Sequence, residues 1–269
     1  MASRLAQQVA LMTGGSADGG LGEAIARRFA AEGARVVCAD VNREGAERLA
    51  RDLGGIAIAA DVTQEDQVKA LFAACAERAG RLDVLVNNAG IVPGWSTSET
   101  LDFAQWDRTF AVNVRGVMLC TKYAVPLLKR QGGAIVNRSS IVGLVADPNQ
   151  HAYSASKWAV RGITESCARE LAQFDIRVNS ICPGPVATRA LLGRSAARAK
   201  AAGRTPEAQL EDEFLTRTWL GRMVAPEDIG EAAFYLATAP AITGIHHPVT
   251  YGQVDATMRE PPRPARKRG

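Results

Sequence analysis

The sequence predicts an α/β protein with a single domain, in which one doubly wound parallel sheet carries helices on both faces. Short runs rich in Val, Ile and Ala alternate with longer segments of helical periodicity, as strands covered on both sides by crossover helices require. No Pro/Gly/Ser-rich linker interrupts that alternation over most of the length, so one sheet collects the strands. A glycine-rich turn, TGGSADGGLG from Thr13 to Gly22, joins the first apolar run to the first helical segment.

VALMTGG (Val9–Gly15) reads as the first strand and Gly22–Glu32 as the helix behind it. ARVVCAD (Ala34–Asp40) and the helix Arg43–Asp52 form the second unit, GIAIAAD (Gly55–Asp61) and Gln64–Arg78 the third. LDVLVNNAG (Leu82–Gly90), GAIVNRSS (Gly133–Ser140) and IRVNSICPG (Ile176–Gly184) follow as strands, separated by long helical segments. Arg189–Leu220 is an Ala- and Arg-rich insertion. The domain is expected to fill residues 1–258, and the basic, Pro-rich tail REPPRPARKRG (259–269) to be disordered. In such a sheet ligands bind beyond the carboxyl ends of the strands, which singles out Gly14, Asp40, Asp61, Asn88, Ser140 and Gly184.

The 269 residues are 47% hydrophobic and 22% charged, with a net charge of +4, which offers no global case for nucleic-acid binding. A short basic arm at the tail is the one feature that would suit nucleic acid, and no such partner is expected. Five single cysteines, Cys38, Cys75, Cys120, Cys167 and Cys182, lie in apolar segments without a CxxC pair or a Cys/His cluster. They exclude a cysteine metal site and fit the reducing cytosol. His246 and His247 have no acid or cysteine spaced with them, so no metal is expected. No signal peptide is read at the N-terminus, and no apolar run approaches the ~20 residues that span a bilayer. A cytoplasmic protein without a membrane partner is expected.

The glycine turn leads into a helix N-terminus, where free N–H groups and the helix dipole suit a phosphate. A tight strand-to-helix turn wants glycine too, so the turn alone decides nothing. Asp40 ends the second strand about 20 residues on, where a carboxylate accepts both hydroxyls of an adenosine ribose and repels a 2′-phosphate. Arg43 lies on the next helix, and Asp18 adds an acid to the loop, so NAD is expected in preference to NADP. Gly14, Ser16, Asp18, Gly20, Leu21 and Gly22 are the candidates for the loop's contacts. Asp61, with Val62, either lies near the adenine or caps the following helix.

YSASK (Tyr153–Lys157) carries the chemistry. Residues four apart share a helix face, and an ammonium beside a phenol favours the phenolate. A phenol ionises near pH ~10, so acid–base work near neutrality needs roughly 4 kcal/mol in favour of the phenolate.

Taken with Ser140, thirteen residues before Tyr153, with NNAG (Asn87–Gly90), Asn113 in FAVNVRG and PGPVAT (Pro183–Thr188), this ordered set resembles the classical short-chain dehydrogenase/reductase family from about Gln8 to Gly252. The resemblance implies a Rossmann-like sheet and an NAD-dependent interconversion of a secondary alcohol and a ketone. It implies Tyr153 as general acid/base, Lys157 as the cation that tunes it and holds the nicotinamide ribose, Ser140 on the substrate oxygen, and Asn113 in a proton relay. Asn88, Ala89 and Gly90 would line the adenosine ribose. Val186 and Thr188 would meet the nicotinamide carboxamide or the pyrophosphate, on a turn shaped by Pro183 and Gly184. The family's usual assembly, a homotetramer pairing the long helices around Asn113 and Tyr153, is implied as well.

Three positions depart from the family pattern. Five residues, instead of three, separate Gly14 from Gly20; the C-terminal stretch reads TYG (Thr250–Gly252); and Arg138 precedes the serines where an apolar residue is commoner. The insertion after Thr188 corresponds to the family's substrate lid. Its Arg189, Arg194, Arg198, Lys200 and Arg204 either meet an anionic substrate or form a solvated helical face. Val142, Leu144, Leu191, Leu192, Phe214 and Trp219 suit a moderately hydrophobic alcohol or ketone. Two other readings stand beside the NAD enzyme: an NADP-dependent ketoreductase, and a non-catalytic nucleotide sensor on the same fold.

Overall fold

The apolar runs become strands because their alternate side chains serve two different helical layers. In the first strand, Ala10 and Met12 enter one buried cluster while Val9 and Leu11 enter the other. A computed structural model describes residues 3–16 and 18–253, so both the basic tail and the boundary at residue 258 lie outside the described residues.

Seven parallel strands are described: β1 (Val9–Thr13), β2 (Arg35–Asp40), β3 (Ile56–Ala59), β4 (Val84–Asn87), β5 (Gly133–Arg138), β6 (Ile176–Pro183) and β7 (His246–Val249). Their order is β3-β2-β1-β4-β5-β6-β7. Helices α1 (Leu21–Ala31), α2 (Arg43–Leu53) and α9 (Pro226–Thr238) cover one face. Helices α3 (Glu65–Ala79), α5 (Gly116–Leu128) and α6 (His151–Leu171) cover the other. The order reverses between β1 and β4, which opens a crevice above the carboxyl ends of those two strands. Among the described residues no helix is long and apolar enough to cross a membrane.

Several expected strands end earlier than the apolar runs suggest. β4 stops at Asn87 because the Asn88 amide turns back and donates to the carbonyls of Thr13 (3.1 Å) and Gly14 (2.6 Å). β3 stops at Ala59, and Asp61 closes a turn by accepting from the backbone N–H (2.9 Å) and hydroxyl (2.8 Å) of Thr63. All five cysteines are buried and free, and burial pushes the Cys38 thiol up to about 12, which keeps it protonated.

A buried polar chain ties α6 to the sheet. The Asn87 amide donates to Asn137 Oδ1 at 2.9 Å, and the Asn137 amide donates to Thr164 Oγ1 at 3.0 Å. Removing Asn137 leaves both partners without their bond, at about 2 kcal/mol. Asn137→Ala is therefore expected to lower Tm by roughly 5 °C in a thermal melt, and an unchanged melt would show the chain to be ornamental.

Candidate active site

The carboxyl end of β5 and the first turns of α6 meet over a short 3-10 turn, Ile141–Gly143. Ser140 caps that turn, its Oγ accepting from the Val142 N–H at 3.3 Å. Ser139 faces the other way and donates to the Lys157 carbonyl at 2.9 Å, fastening the strand end to α6. A Cβ on Gly143 would stand 2.5 Å from Ser139 Oγ and 2.8 Å from the Lys157 carbonyl, so only glycine permits this approach. Lys157 is buried at 1% exposure. Its ammonium donates to the Arg138 carbonyl at 2.8 Å and lies 5.6 Å from the centroid of the Tyr153 ring. Burial first, and the Arg138 guanidinium second, hold that ammonium well below the usual lysine range. Tyr153 itself keeps part of its surface in solvent.

Asn113 sits in a π-helical turn, Ala111–Arg115, between helix α4 (Phe103–Phe110) and α5. Its buried amide donates to the Ile91 carbonyl (3.0 Å) and Ser156 Oγ (3.1 Å), while its Oδ1 accepts from the Ile91 N–H (2.9 Å). Ser156 in turn donates to the Tyr153 carbonyl at 2.7 Å. Ser156 is the fourth residue of YSASK and was missed as a site residue. Its signal was a small polar residue facing the same neighbours as Tyr153 and Lys157.

On the nucleotide side, Gly14 has φ +69°, and a Cβ there would stand 2.6 Å from Ala89 Cα. A Cβ on Gly22 would stand 2.5 Å from the Gly14 carbonyl and 2.6 Å from the Asn88 amide. Gly20, in extended backbone, begins α1, and no side chain caps that terminus. Asp40 reaches over from β2: one oxygen accepts from the Ser16 N–H (3.0 Å), the other from the Asn42 N–H (3.0 Å). A nicotinamide dinucleotide suits this cradle, since backbone lies where side chains would obstruct it, the helix terminus is open, and Asn88 Oδ1 is buried without a partner.

Comparison with known proteins sets this geometry in a family. Residues 14–253 match the family described as Enoyl-(Acyl carrier protein) reductase. An uncharacterized oxidoreductase of Mycobacterium tuberculosis is 40% identical, with 94% of this chain and 99% of the relative aligned. Cis-4-hydroxycyclohexanecarboxylate dehydrogenase of Sinomonas cyclohexanicum is 40% identical over 90% of this chain and 93% of its own. The crystal structure of 3-ketoacyl-(acyl-carrier-protein) reductase from Brucella melitensis complexed with NADH superposes with a TM-score of 0.82 at 34% identity, covering 93% of this chain and all of that one. The chain is a short-chain dehydrogenase/reductase. With the family come the dinucleotide-binding sheet and an NAD(P)(H)-dependent oxidoreductase activity.

In this short-chain dehydrogenase/reductase the other expected residues make the following contacts. Asp18, expected to add an acid to the loop, pairs with Arg189, the first residue of α7 (Arg189–Ala201), so the lengthened loop leans on the lid. Gly19, at φ +64°, supplies the left-handed backbone that lets the loop reach it. Asn88 braces the glycine turn through its amide. Asp61 is engaged in its own turn, and the N-cap position of α3 belongs to Gln64. Val62 is buried, its side chain against the position a Cβ on Gly116 would take. Pro183 pairs with Val249, the Gly184 N–H donates to the Val249 carbonyl at 3.0 Å, and Val186 bridges to Val224. Thr188 caps α7 by accepting from the Leu191 N–H. His246 and His247 lie in β7, where His246 is held between Ser180 and Glu165 at 2.8 Å each.

Two of the lid's arginines pair within it. Arg198 forks onto Glu213 at 2.5 and 2.7 Å, joining α7 to α8 (Pro206–Glu213), while Ser195 (2.9 Å) and Gln209 (2.7 Å) donate to the same carboxylate. Arg204 pairs with Asp212. At the end of the lid, a Cβ on Gly252 would stand 2.7 Å from Trp219, so this glycine of TYG makes room for the indole. His151 stands on the wall of a cavity of about 110 Å³ shared with Trp95, Gln105 and Trp106.

The Arg198 hydrogen bonds hold the Glu213 carboxyl down at about 2, against its usual 4.5. A depressed carboxyl stabilises above its unfolded value, so the α7–α8 clamp is whole above pH 4.5 and is lost as pH falls towards about 2. Hydrogen-exchange protection factors over residues 189–213, taken relative to the intrinsic rate at each pH, are expected to fall across that window. Glu213→Gln should show low protection already at neutral pH, with no further fall in acid.

Proposed function

We propose that this chain is an NAD(H)-dependent dehydrogenase that interconverts a secondary alcohol and a ketone, with Tyr153 as its general acid/base. One observation carries the reading: a lysine buried at 1% exposure is held against the face of Tyr153, at the strand end where Ser140 also stands.

When bound, the nicotinamide supplies the acceptor or donor of the hydride exchanged with the carbinol carbon. In the oxidation direction the Tyr153 phenolate takes the hydroxyl proton of the alcohol; in reduction the phenol returns it. The Ser140 hydroxyl donates to the substrate oxygen and fixes it opposite Tyr153. Lys157 favours the phenolate and meets the nicotinamide ribose. The proton leaves along the polar path through Asn113 towards solvent. Gly14, Gly20, Leu21 and Gly22 hold the pyrophosphate at the α1 terminus, and Asp40 takes the adenosine ribose. Ala89 and Gly90 border the same crevice, and Val186 and Thr188 border the nicotinamide end.

The relatives are named for a hydroxycyclohexanecarboxylate and for 3-ketoacyl groups, which share a secondary alcohol or ketone carbon. Three lid arginines are matched to the chain's own acids, which favours a moderately hydrophobic substrate over an anionic one. Met118 and Trp158, exposed at 41% and 47% on α5 and α6, support a homotetramer paired through those helices. The buried, protonated thiols suit the cytoplasm.

Two measurements test the reading. Tyr153→Phe should cut turnover by about 10²–10⁴-fold while NADH still binds, as followed by nicotinamide fluorescence; full turnover would remove the mechanism. Asp40→Asn should erase most of the preference for NAD over NADP in kcat/KM, because Arg48, which donates to the Ser16 carbonyl at 3.3 Å, remains beside the ribose site. A wild-type enzyme that prefers NADP would overturn the assignment of Asp40.

A further inference from the structure

Arg138, the last residue of β5, brings a second cation to the site. Its Nη2 lies 2.5 Å, and Lys157 Nζ 3.5 Å, from the place a Cβ on Gly90 would take, so the two nitrogens are no farther apart than those distances combined. Gly90 leaves the room for both. The guanidinium Nε is buried without a hydrogen-bond partner. Among the described residues no carboxylate pairs with Arg138, and Tyr153 is the group whose charge favours the guanidinium. Burial lowers the proton affinity of Arg138 and Lys157 alike. Two neighbouring cations without an internal counter-charge are costly until an anion meets them.

The other charged groups around Tyr153 do not supply that anion. On α6, Arg161 donates to the Gly143 carbonyl and stacks on Trp158, and His151 lies 3.5 Å from Ser98 Oγ. On β6, the Cys182 thiol is held up by burial and stays protonated. On α4, Asp102 caps its own helix, and Asp107 and Arg108 are exposed. In the π turn, Arg115 bonds to the Thr63 carbonyl and faces Glu65.

We propose that Arg138 is a positioning residue for Tyr153, its guanidinium acting with the Lys157 ammonium to hold the negative charge of the Tyr153 phenolate. The inference rests on Tyr153 being the acid/base. It makes Tyr153 answer to two cations, one from its own helix and one from the strand beneath.

The sequence holds four tyrosines, so subtracting the tyrosinate absorbance of Tyr153→Phe from that of the full chain isolates the ionisation of Tyr153. In Arg138→Met that ionisation should move to higher pH by about one unit or more. The pH profile of kcat/KM for alcohol oxidation should follow it, with a loss of about tenfold below the shifted step. Arg138→Lys, which keeps the charge, should restore at least half of the shift. Should Arg138→Met fail to fold, Arg138→Gln carries the same expectation. An unmoved ionisation overturns the proposal, and so does an unmoved ionisation with weakened NADH binding, which would assign the guanidinium to the cofactor's phosphates. A shifted ionisation in a chain that oxidises no alcohol would leave Arg138 as inferred and overturn the proposed function instead.

Discussion

The cofactor half of this protein depends on two places where backbone meets backbone with no room for a side chain. A methyl group on Gly14 would collide with Ala89, and one on Gly22 with the Gly14 carbonyl and the Asn88 amide. Because both positions are bare, the turn after β1 lies directly against the end of β4. Asn88 can then lock the two together, and α1 begins with its open terminus over the crevice. Asp18 and Gly19 lie outside this contact, where Asp18 meets the lid. The cradle therefore tolerates a longer loop without changing its floor.

The chemical half is built on the opposite principle, with polar groups sealed in and nearly all of them satisfied. Ser139, Ser156 and Asn113 each spend their hydrogen bonds on the backbone or on one another around Lys157 and Tyr153. Such a network is costly to leave incomplete, and so it favours a single arrangement of the strand end, the helix and the loop after β4. Arg138 breaks that economy. It is charged, close to another cation, and short of partners.

The strands, their alternation and the YSASK helix were legible in the sequence because each is a local pattern, set by side-chain periodicity and spacing. Asp40 was legible for the same reason, as the end of an apolar run. The pairing of Asp18 with Arg189 was not legible because the two lie 171 residues apart, and no local rule connects a glycine loop to the first residue of a lid helix. Asn88 stands where the motif places it but points its amide into the glycine turn, which depends on how closely two strand ends approach. Asp61 illustrates a competition: a carboxylate two residues before a threonine can close its own turn. The lid's arginines look like a basic surface until Glu213 and Asp212, fifteen and eight residues on, fold back against Arg198 and Arg204.

The π turn around Asn113 fixes the phase between two stretches of one long helical segment. Each residue of an α-helix advances the chain by about 100°, so a turn holding one extra residue sets α4 and the loop before it at a particular rotation relative to α5. Shortening the segment by one residue would restore regular helical bonding and swing Asn113 away from Ile91 and Ser156. The irregularity thus works as a clutch plate: it lets α5 pack its apolar face on the sheet while Asn113 faces the reacting groups, two demands that an unbroken helix of this sequence would not meet together.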